Sequence, residues 1–218
     1  MSIQKSYAVI GLGRYGLAVA KELFASGAEV LAVDMNETIV NSVANDLALC
    51  KCADITDPEV IKQLGIGNID VVIIAMAGNL EASVLATMLC KEAGVPTVVA
   101  KCGNEMHSRI LSRVGADRVV FPEKESGLRL AKNLLSAGFV DVIELSKDVS
   151  MVELEVKSEW VGKSLIDLNL RRRYGINVVA MRKGDSISVG LDPEKPLTKD
   201  TCLIVIGSTD KLGKINHK

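Results

Sequence analysis

The stretch Tyr7-Ala8-Val9-Ile10-Gly11-Leu12-Gly13-Arg14-Tyr15-Gly16 decides the fold of the first half of the chain. It has the pattern of an apolar strand, a G-x-G-x-x-G turn and the start of a helix, and Asp34 closes the next apolar run. This spacing, with the acid about 20 residues beyond the glycines, is typical of a dinucleotide-type site. Gly11 allows the tight turn, Gly13 lets the backbone approach a phosphate, and Gly16 lets the helix pack closely on the strand.

The side chains at this turn indicate which nucleotides would fit. A helix that starts near Tyr15 points its free N–H groups at an anion. Asp34 can accept hydrogen bonds from a ribose 2′-hydroxyl and would repel a 2′-phosphate, so NADP is disfavoured while NAD, ATP, ADP and AMP stay open. Arg14 either points into solvent or places its guanidinium on phosphate oxygens. The second alternative favours a ligand with more phosphate charge, such as ATP.

Composition narrows the classes of function. The chain has 218 residues, of which 48% are hydrophobic and 3% aromatic, and its formal net charge is −1. Few aromatic side chains and no basic stripe argue against nucleic-acid binding. No apolar run approaches the roughly 18 residues of a membrane span, and the N-terminus has no signal-peptide pattern. We therefore expect one or two cytoplasmic domains with no direct membrane insertion.

The five cysteines give no sign of a disulfide framework or a zinc site. Their number is odd, and only two histidines accompany them. No zinc-ligand spacing occurs. Most of the cysteines lie in apolar segments, and Cys50 and Cys52 fall on one face of an expected strand. We expect buried, reduced thiols, in agreement with a reducing compartment.

Strands and helices are expected to alternate through the first half of the chain. The expected strands are rich in Val, Ile and Ala and almost continuously apolar, as parallel strands covered on both faces are. Right-handed crossovers then give a Rossmann-like, doubly wound α/β sheet of six strands in the order 3-2-1-4-5-6. The six expected strands are Tyr7–Gly11, Glu29–Asp34, Leu47–Cys52, Val71–Ala75, Thr97–Lys101 and Arg118–Phe121.

A further helix is expected to follow Pro122, from Glu123 to about Ser136. Its apolar stripe covers either the sheet of its own domain or a partner subunit. Phe139–Leu145 then has the pattern of an extended connector. The residues of the stripe are Leu128, Ala131, Leu134 and Leu135.

The pattern changes after Ser146. Met151–Val156 alternates apolar and polar residues, as a half-exposed antiparallel strand does. Ser164–Leu170 predicts a short helix, and no βαβ repeat follows. We therefore divide the chain into an α/β nucleotide-binding domain over residues 1–122, a crossover helix and connector over 123–145, and a smaller α+β domain over 146–218.

The candidate site lacks the groups that catalysis would need. A dehydrogenase needs an acid or base beside the nicotinamide, and no Ser/His/Asp or Cys/His set stands out. We expect His107 to be a solvated or capping residue. The P-loop lysine motif is also missing, so ATP hydrolysis is not indicated. The sequence therefore predicts a site that binds a nucleotide without transforming it, and the chain is not expected to be an enzyme.

Polar residues follow several strands at the edge where such a sheet binds ligands. Asp54, Asn79, Lys101 and Glu123 are either ligand contacts or solvated loop ends, and Asn79 could be a helix N-cap. Glu123 beside a polyphosphate would require a bound cation, since like charges repel. The residues assigned to the nucleotide site are Gly11, Gly13, Arg14, Tyr15, Gly16, Asp34, Met35, Asp54, Ile55, Ala75, Asn79, Lys101 and Glu123.

Several motifs together resemble one known family. They are the glycine turn with Asp34, Ala53-Asp54-Ile55-Thr56-Asp57, Gly115-Ala116-Asp117-Arg118-Val119-Val120-Phe121-Pro122-Glu123, and, near the C-terminus, Trp160-Val161-Gly162-Lys163-Ser164-Leu165 and Leu170-Arg171-Arg172-Arg173-Tyr174-Gly175-Ile176-Asn177-Val178-Val179. The chain resembles the RCK family (regulator of K+ conductance), in particular the KtrA/TrkA type of bacterial potassium-uptake regulator, over essentially its whole length.

The resemblance implies a non-catalytic regulatory subunit. Such proteins form homodimers that close into a homo-octameric ring beneath a membrane potassium channel or transporter of the KtrB/TrkH type. ATP and ADP compete for the first domain and gate the pore. Carried over, Arg14 contacts the phosphates, Asp34 the ribose, and Glu123 helps to hold a divalent or monovalent cation near the γ-phosphates. Asp54 is kept although Cys52-Ala53-Asp54-Ile55 departs from the Gly-Asp-Ala that is common in the family, so adenosine binding is still expected.

The resemblance also implies a second ligand. In several Gram-positive members the C-terminal domain binds cyclic di-AMP between two subunits. The positions that match here are Leu165, Arg171, Ile176, Asn177 and Pro193.

Two rival functions share this fold. A small NAD-dependent oxidoreductase keeps Asp34 but leaves Arg14 and the missing acid/base set unexplained. A regulator that senses NAD(H) normally needs a DNA-binding module, and the sequence has no helix-turn-helix pattern beyond the first domain.

Overall fold

The structure is a computed structural model and describes residues 5–135 and 139–216. The chain divides into two compact units, which we call the N-terminal unit, up to Pro122, and the C-terminal unit, from Glu123 onward.

The N-terminal unit contains a six-stranded parallel sheet. Its strands are β1 (Ser6–Ile10), β2 (Glu29–Asp34), β3 (Leu49–Cys52), β4 (Val71–Ile74), β5 (Thr97–Lys101) and β6 (Arg118–Val120). Their order in the sheet is β3-β2-β1-β4-β5-β6, which confirms the predicted doubly wound α/β fold. The helices between them are α1 (Arg14–Ala25), α2 (Glu37–Val43), α3 (Pro58–Gln63), α4 (Leu80–Glu92) and α5 (Glu105–Arg113), and a 3₁₀ turn spans Ile66–Asn68.

Both faces of this sheet are buried, which explains the nearly continuous apolar runs of the strands. Ala8 and Ile10 of β1 belong to one buried cluster with Leu111 of α5. Val9, which lies between them and points to the other face, packs in a second cluster with Ala20 of α1. Alternation along one strand thus joins the sheet to helices on each side.

Four of the five helices of the N-terminal unit begin with a side-chain cap. The carboxylate or amide oxygens of Asn36, Asp57, Asn79 and Asn104 accept backbone N–H bonds at the first turns of α2, α3, α4 and α5. Helix α1 instead begins after Gly13, with no side-chain cap. Its first N–H groups are therefore left for another acceptor.

The C-terminal unit contains a five-stranded antiparallel sheet. Its strands are β7 (Phe139–Glu144), β8 (Val149–Glu155), β9 (Asn177–Lys183), β10 (Ser186–Ser188) and β11 (Thr201–Ser208). Their order in the sheet is β10-β9-β11-β8-β7. The helices are α6 (Pro122–Leu135), α7 (Leu165–Leu168), α8 (Leu170–Tyr174) and α9 (Thr209–Asn216), with a 3₁₀ turn at Ser158–Trp160.

Two expectations for this unit require correction. Phe139–Leu145 was expected to be an extended connector, but Phe139–Glu144 pairs with β8 as an edge strand of the sheet. The short helix expected over Ser164–Leu170 is present as α7 but ends at Leu168, because Asn169 has a φ of 44°, and Leu170 instead begins α8. A left-handed residue cannot continue a right-handed helix.

One face of the second sheet is packed and carries the core of the unit. Alternate residues of β11, from Thr201 to Gly207, are buried. Leu203 and Val205 pack with Trp160, Leu170 and Leu212, which come from the turn and helices on that side.

Two leucines of the apolar stripe of α6 are exposed in the single chain. Leu128 and Leu134 keep 52% and 77% of their accessible surface, and Leu130, which lies outside the stripe, keeps 59%. The helix ends at Leu135, and Ser136, where the sequence placed its end, lies outside the described residues.

The expectation of buried thiols is only partly correct. All five cysteines are free, but Cys90 and Cys102 alone are buried. Cys50 and Cys202 are half-buried. Cys52 is exposed, because it is the last residue of β3, an edge strand of the first sheet. Burial raises the pKa of the Cys90 thiol to about 12.

His107 is not solvated; it is buried, with 3% of its surface exposed, and the side-chain N-cap of α5 is Asn104. The N–H of Gly103 donates to Nδ1 at 3.3 Å, so Nε2 carries the proton and donates to the Ser83 hydroxyl at 2.7 Å. That hydroxyl in turn donates to the carbonyl of Leu80 at 2.9 Å. This chain of donors accommodates only the neutral imidazole, and burial lowers the pKa of His107.

We predict that His107 makes folding sensitive to mild acid. Because its pKa is lower in the folded chain, the unfolded chain binds the proton first, and stability that is complete above pH about 6.5 is lost as the pH falls below that value. The free energy of unfolding, measured by urea denaturation between pH 8 and 5, should fall more steeply for wild type than for His107→Gln. Parallel pH profiles would contradict this assignment.

Candidate functional site

The glycine turn between β1 and α1 is closely packed. Gly11 has a φ of +91°, and its N–H donates to the carbonyl of Val33 at 2.8 Å. A Cβ at Gly16 would lie 1.9 Å from the Gly11 carbonyl oxygen and 2.9 Å from the Cβ of Ala75. Gly16 therefore has to be glycine, as the sequence predicted. A Cβ at Gly13 would meet nothing within 4 Å, so the backbone there is open to an approaching group.

Cationic groups lie at the start of α1. Arg14 is its first residue and is exposed, and within the described part of the chain its guanidinium has neither a hydrogen bond nor an ion pair. The ammonium group of Lys101, the last residue of β5, lies 5.7 Å from the ring centroid of Tyr15, a cation–π arrangement. Positive side chains thus accompany the uncapped N–H groups of α1, whose helix dipole also favours an anion.

Asp34 is held by backbone donors on both sides of the end of β2. The N–H of Leu12 donates to its Oδ2 at 2.7 Å, and the N–H of Asn36 donates to its Oδ1 at 2.8 Å. The carboxylate therefore connects the glycine turn to the start of α2. Each oxygen keeps further lone-pair capacity for a hydroxyl donor.

A cavity of about 200 Å³ lies at the carboxyl ends of β1, β2, β3 and β4. In an open α/β sheet, this edge beside the central strand, where the strand order reverses, is the usual position of a ligand. The cavity gathers six residues assigned to the site from the sequence, namely Gly11, Asp34, Met35, Asp54, Ile55 and Asn79. Its other lining residues are Ile10, Val33, Ala53, Thr56, Met76 and Ala82.

Three further polar residues that line the cavity, Asp54, Thr56 and Asn79, make hydrogen bonds within the protein. Thr56 donates to Oδ1 of Asp54 through its backbone N–H at 3.0 Å and its hydroxyl at 2.7 Å. These hydrogen bonds, the hydroxyl first, lower the pKa of Asp54. Asn79 caps α4 by accepting the N–H of Ala82 at 3.0 Å, so the N-cap alternative holds for it, although it also lines the cavity.

The remaining residues assigned to the site lie outside this cavity. Gly13, Arg14, Tyr15 and Gly16 form the adjoining turn and first helical residues, and Lys101 lies against Tyr15. Ala75 lies under the turn, where its N–H donates to the Ile10 carbonyl at 2.7 Å. Glu123 is in the first turn of α6, in the C-terminal unit.

Sequence reasoning missed Thr56 and Met76 as parts of the site. Thr56 stands in the motif around Asp54, and a hydroxyl two residues after an exposed aspartate is a signal for the turn it forms. Met76 carries no such signal, since its apolar side chain is equally suited to a core position.

A second cavity, of about 190 Å³, lies in the C-terminal unit beside α7, α8 and β9. Its lining includes four residues assigned to cyclic di-AMP, which are Leu165, Arg171, Ile176 and Asn177, together with Asn169, Leu170 and Val178. Pro193 is not among them. Its carbonyl instead accepts the N–H of Ile166 in α7 at 3.2 Å.

Within 5–135 and 139–216, no three or more His, Cys, Asp or Glu side chains come together as a metal site would require. In the same part of the chain, every helix is too short or too polar to cross a bilayer.

Family comparisons match almost the whole chain. Residues 7–122 match the TrkA-N domain and residues 149–217 match the TrkA-C domain. The Ktr system potassium uptake protein C of Bacillus subtilis (strain 168) is 39% identical over 216 residues, which cover 99% of this chain and 98% of that protein.

Solved structures give the same fold. The GsuK channel matches with a TM-score of 0.68 and 16% identity, over 99% of this chain and 39% of that one. A GsuK structure bound to ADP matches with a TM-score of 0.52 and 26% identity, over 61% of this chain and 34% of that one. The chain thus spans well under half the length of these channel proteins.

The resemblance drawn from the sequence motifs is therefore confirmed at the level of the family. The TrkA-N match covers the glycine turn and the six-stranded sheet from Tyr7 onward, and the TrkA-C match covers β8 to β11 of the antiparallel sheet. The chain belongs to the RCK family of potassium-transport proteins, with a TrkA-N and a TrkA-C domain of the kind found in Ktr potassium uptake proteins.

Proposed function

We propose that this chain is a non-catalytic, cytoplasmic regulatory subunit of a bacterial potassium channel or transporter, and that adenine nucleotides at the N-terminal unit control it. One observation carries the proposal. The uncapped N-terminus of α1 opens beside Gly13, next to a cavity that Asp34 lines. An anion at the helix and a ribose at the carboxylate fit this arrangement.

The residues at the turn fit a nucleotide physically. Gly13 leaves an open approach where any side chain would intrude on a phosphate. Asp34 is already oriented by the N–H groups of Leu12 and Asn36, so it can accept ribose hydroxyls without reorganisation. The apolar side chains of Met35, Ile55 and Met76 offer contact surfaces for a base. A GsuK structure, 26% identical over the part that matches, is bound to ADP.

Arg14 favours ATP and ADP as the physiological pair over NAD(H). Its unpaired guanidinium is exposed at the first residue of α1, where it would add positive charge beyond what the helix supplies. The γ-phosphate is the only covalent difference between ATP and ADP, so a regulator that separates them needs a cation near that group. We assign this role to Arg14 and to a cation held with the help of Glu123.

Assembly and partners follow from the same proposal. The exposed leucines of α6 are more consistent with packing against a second subunit than with covering the chain's own sheet. We propose a homodimer that assembles into an octameric ring and acts on a membrane subunit of the KtrB/TrkH type. In this scheme residues 1–122 bind nucleotide, 123–145 contribute to the dimer, and 146–218 form the regulatory domain.

Calorimetry with the purified protein tests the nucleotide assignment. We expect ATP and ADP to bind without turnover, ATP to bind more tightly when a divalent cation is present, and NADH to bind less tightly than either. The added cation offsets the repulsion between Glu123 and the phosphates. Preference for NADH with no response to ATP would overturn the proposal and favour a sensor of NAD(H) or a dehydrogenase.

The variant Arg14→Ala tests how the two nucleotides are distinguished. Alanine is the best helix former, so α1 should be kept. If the guanidinium contacts the γ-phosphate, loss of a charge-assisted hydrogen bond should weaken ATP about tenfold or more relative to the change for ADP. Arg109→Ala, on an exposed position of α5, is the matched control and should change neither affinity. Equal losses for ATP and ADP would remove Arg14 from this role.

We further propose that the C-terminal unit binds cyclic di-AMP. The observation that favours it is the cavity lined by Leu165, Arg171, Ile176 and Asn177, which joins apolar surface for a base to a guanidinium and an amide for a phosphodiester.

Arg171→Ala should abolish or strongly weaken cyclic di-AMP binding, because a bidentate guanidinium–phosphate contact is lost. Arg172→Ala, at the next position of the same helix but outside the cavity, should bind as wild type does. Binding would be measured by calorimetry, with ATP binding as a check that the N-terminal unit is intact. Equal affinities for both variants would contradict the assignment.

A further inference from the structure

A third cavity lies in the N-terminal unit at the amino ends of β1, β2 and β3, and we call it the amino-edge cavity. Tyr7, Val30 and Leu49 line it from the starts of the three strands, and Phe24 lines it from the last turn of α1. Its volume is about 350 Å³. Cavities of about 300–1,000 Å³ typically bind small molecules, so this volume is sufficient for a small ligand.

Aromatic side chains are concentrated in the amino-edge cavity. The chain has one Trp, three Tyr and three Phe, and two of these seven residues, Tyr7 and Phe24, line it. Phe24 keeps 40% of its surface exposed. Within the described residues no cation lies over either ring, since the two cation–π contacts there involve Tyr15 and Trp160. Both rings can therefore receive a cation from a ligand.

Glu29 gives the amino-edge cavity a negative charge. It is the first residue of β2, and in the part of the chain that the structure describes it is the single charged residue of the lining. Within residues 5–135 and 139–216, its carboxylate has neither a hydrogen bond nor an ion pair. An unpaired carboxylate beside aromatic rings favours a positively charged ligand by charge complementarity.

The other polar side chains of the lining are those of Ser6 and Tyr7. The Ser6 hydroxyl is already engaged, because it donates to Oδ2 of Asp70 at 2.9 Å and accepts the N–H of Asp70 at 3.1 Å. The remaining lining residues are apolar. A primary ammonium group would bring three N–H donors into these apolar surroundings, whereas a quaternary ammonium group has no N–H and loses no hydrogen bonds there.

We propose that the amino-edge cavity binds a small organic cation with a quaternary ammonium group, which Tyr7 and Phe24 contact through their rings and Glu29 attracts by its charge. The methyl groups of such a cation pack against aromatic faces, and its charge is attracted by them. The inference does not depend on the proposed nucleotide function, because the amino-edge cavity shares no lining residue with the cavity at the carboxyl ends of the strands.

Calorimetry of the full chain with choline and its uncharged analogue 3,3-dimethylbutan-1-ol tests the inference. The two probes have the same shape and differ in whether the atom that carries the methyl groups is a charged nitrogen or a carbon. We expect choline to bind about tenfold or more tightly, since the rings and the carboxylate attract only the charged probe. Ethanolamine, which has a primary ammonium group, should bind more weakly than choline.

Two variants locate the site. Glu29→Gln removes the charge and keeps the size, and Phe24→Leu removes the ring and keeps an apolar side chain. Each should weaken choline binding about threefold or more and change the binding of the uncharged analogue little. Glu22→Gln is the matched control, because Glu22 is exposed on the same helix as Phe24 and lies outside the cavity. It should bind choline as wild type does.

Several results would overturn the inference. Wild type that binds choline and the uncharged analogue equally would show a general apolar cavity without selection for a cation. Choline binding that Glu29→Gln and Phe24→Leu both leave unchanged, in variants that are folded by circular dichroism, would place the probe elsewhere on the molecule. Wild type that does not bind choline would also overturn it, and a smaller assembly of Glu29→Gln in analytical ultracentrifugation would then identify a cationic side chain of a second copy as the occupant.

Discussion

The close approach of α1 to β1 is the constraint on which the nucleotide site depends. A Cβ at Gly16 would come within 1.9 Å of the Gly11 carbonyl oxygen, so any other residue would push the helix away from the strand. With glycine at this position, α1 starts directly over the end of β1, the strand that lies between β2 and β4 in the sheet. Its uncapped N–H groups are thereby held at the point where the strand order reverses. The binding geometry is thus a consequence of helix packing.

Asp34 shows how the site and the fold share the same groups. One carboxylate oxygen accepts a hydrogen bond from the N–H of Leu12 in the glycine turn, and the other accepts one from the N–H of Asn36, which caps α2. A ligand hydroxyl bound at Asp34 therefore contacts a carboxylate that already joins two loops. Binding there adds to a network of hydrogen bonds instead of reorganising it, which is the preorganisation that gives a small ligand affinity.

The sequence predicts most of the N-terminal unit because each strand is apolar on both faces and each gap has a helical pattern. It fails where the outcome depends on position in the sheet. Cys52 has the same local pattern as Cys50, yet it is exposed because β3 is an edge strand. His107 is buried through partners from α4 and the loop before α5, and no local pattern reports such partners. Phe139–Glu144 pairs with β8 as a strand, and its composition alone does not distinguish a paired strand from an extended connector.

The residues of the candidate site also divide into those that the sequence predicts and those that it does not. The glycines and Asp34 are predictable because backbone geometry and ribose chemistry demand particular residue types at fixed spacing, and Asp54 is predictable because it follows a strand at the ligand-binding edge of the sheet. Thr56 is not predictable, because the two hydrogen bonds that it donates to one oxygen of Asp54 form only in the folded turn.

The sequence is equally limited as a guide to regulation. Gating requires that a ligand bind two conformations with different affinity, and a ligand with equal affinity for both shifts nothing. In the proposed site, Asp34 would contact the ribose and the cavity would contact the base, and both of these parts are shared by ATP and ADP. Under the proposed function, discrimination between them must therefore come from charges at the phosphate end, where the Arg14 guanidinium makes no hydrogen bond or ion pair within the described residues.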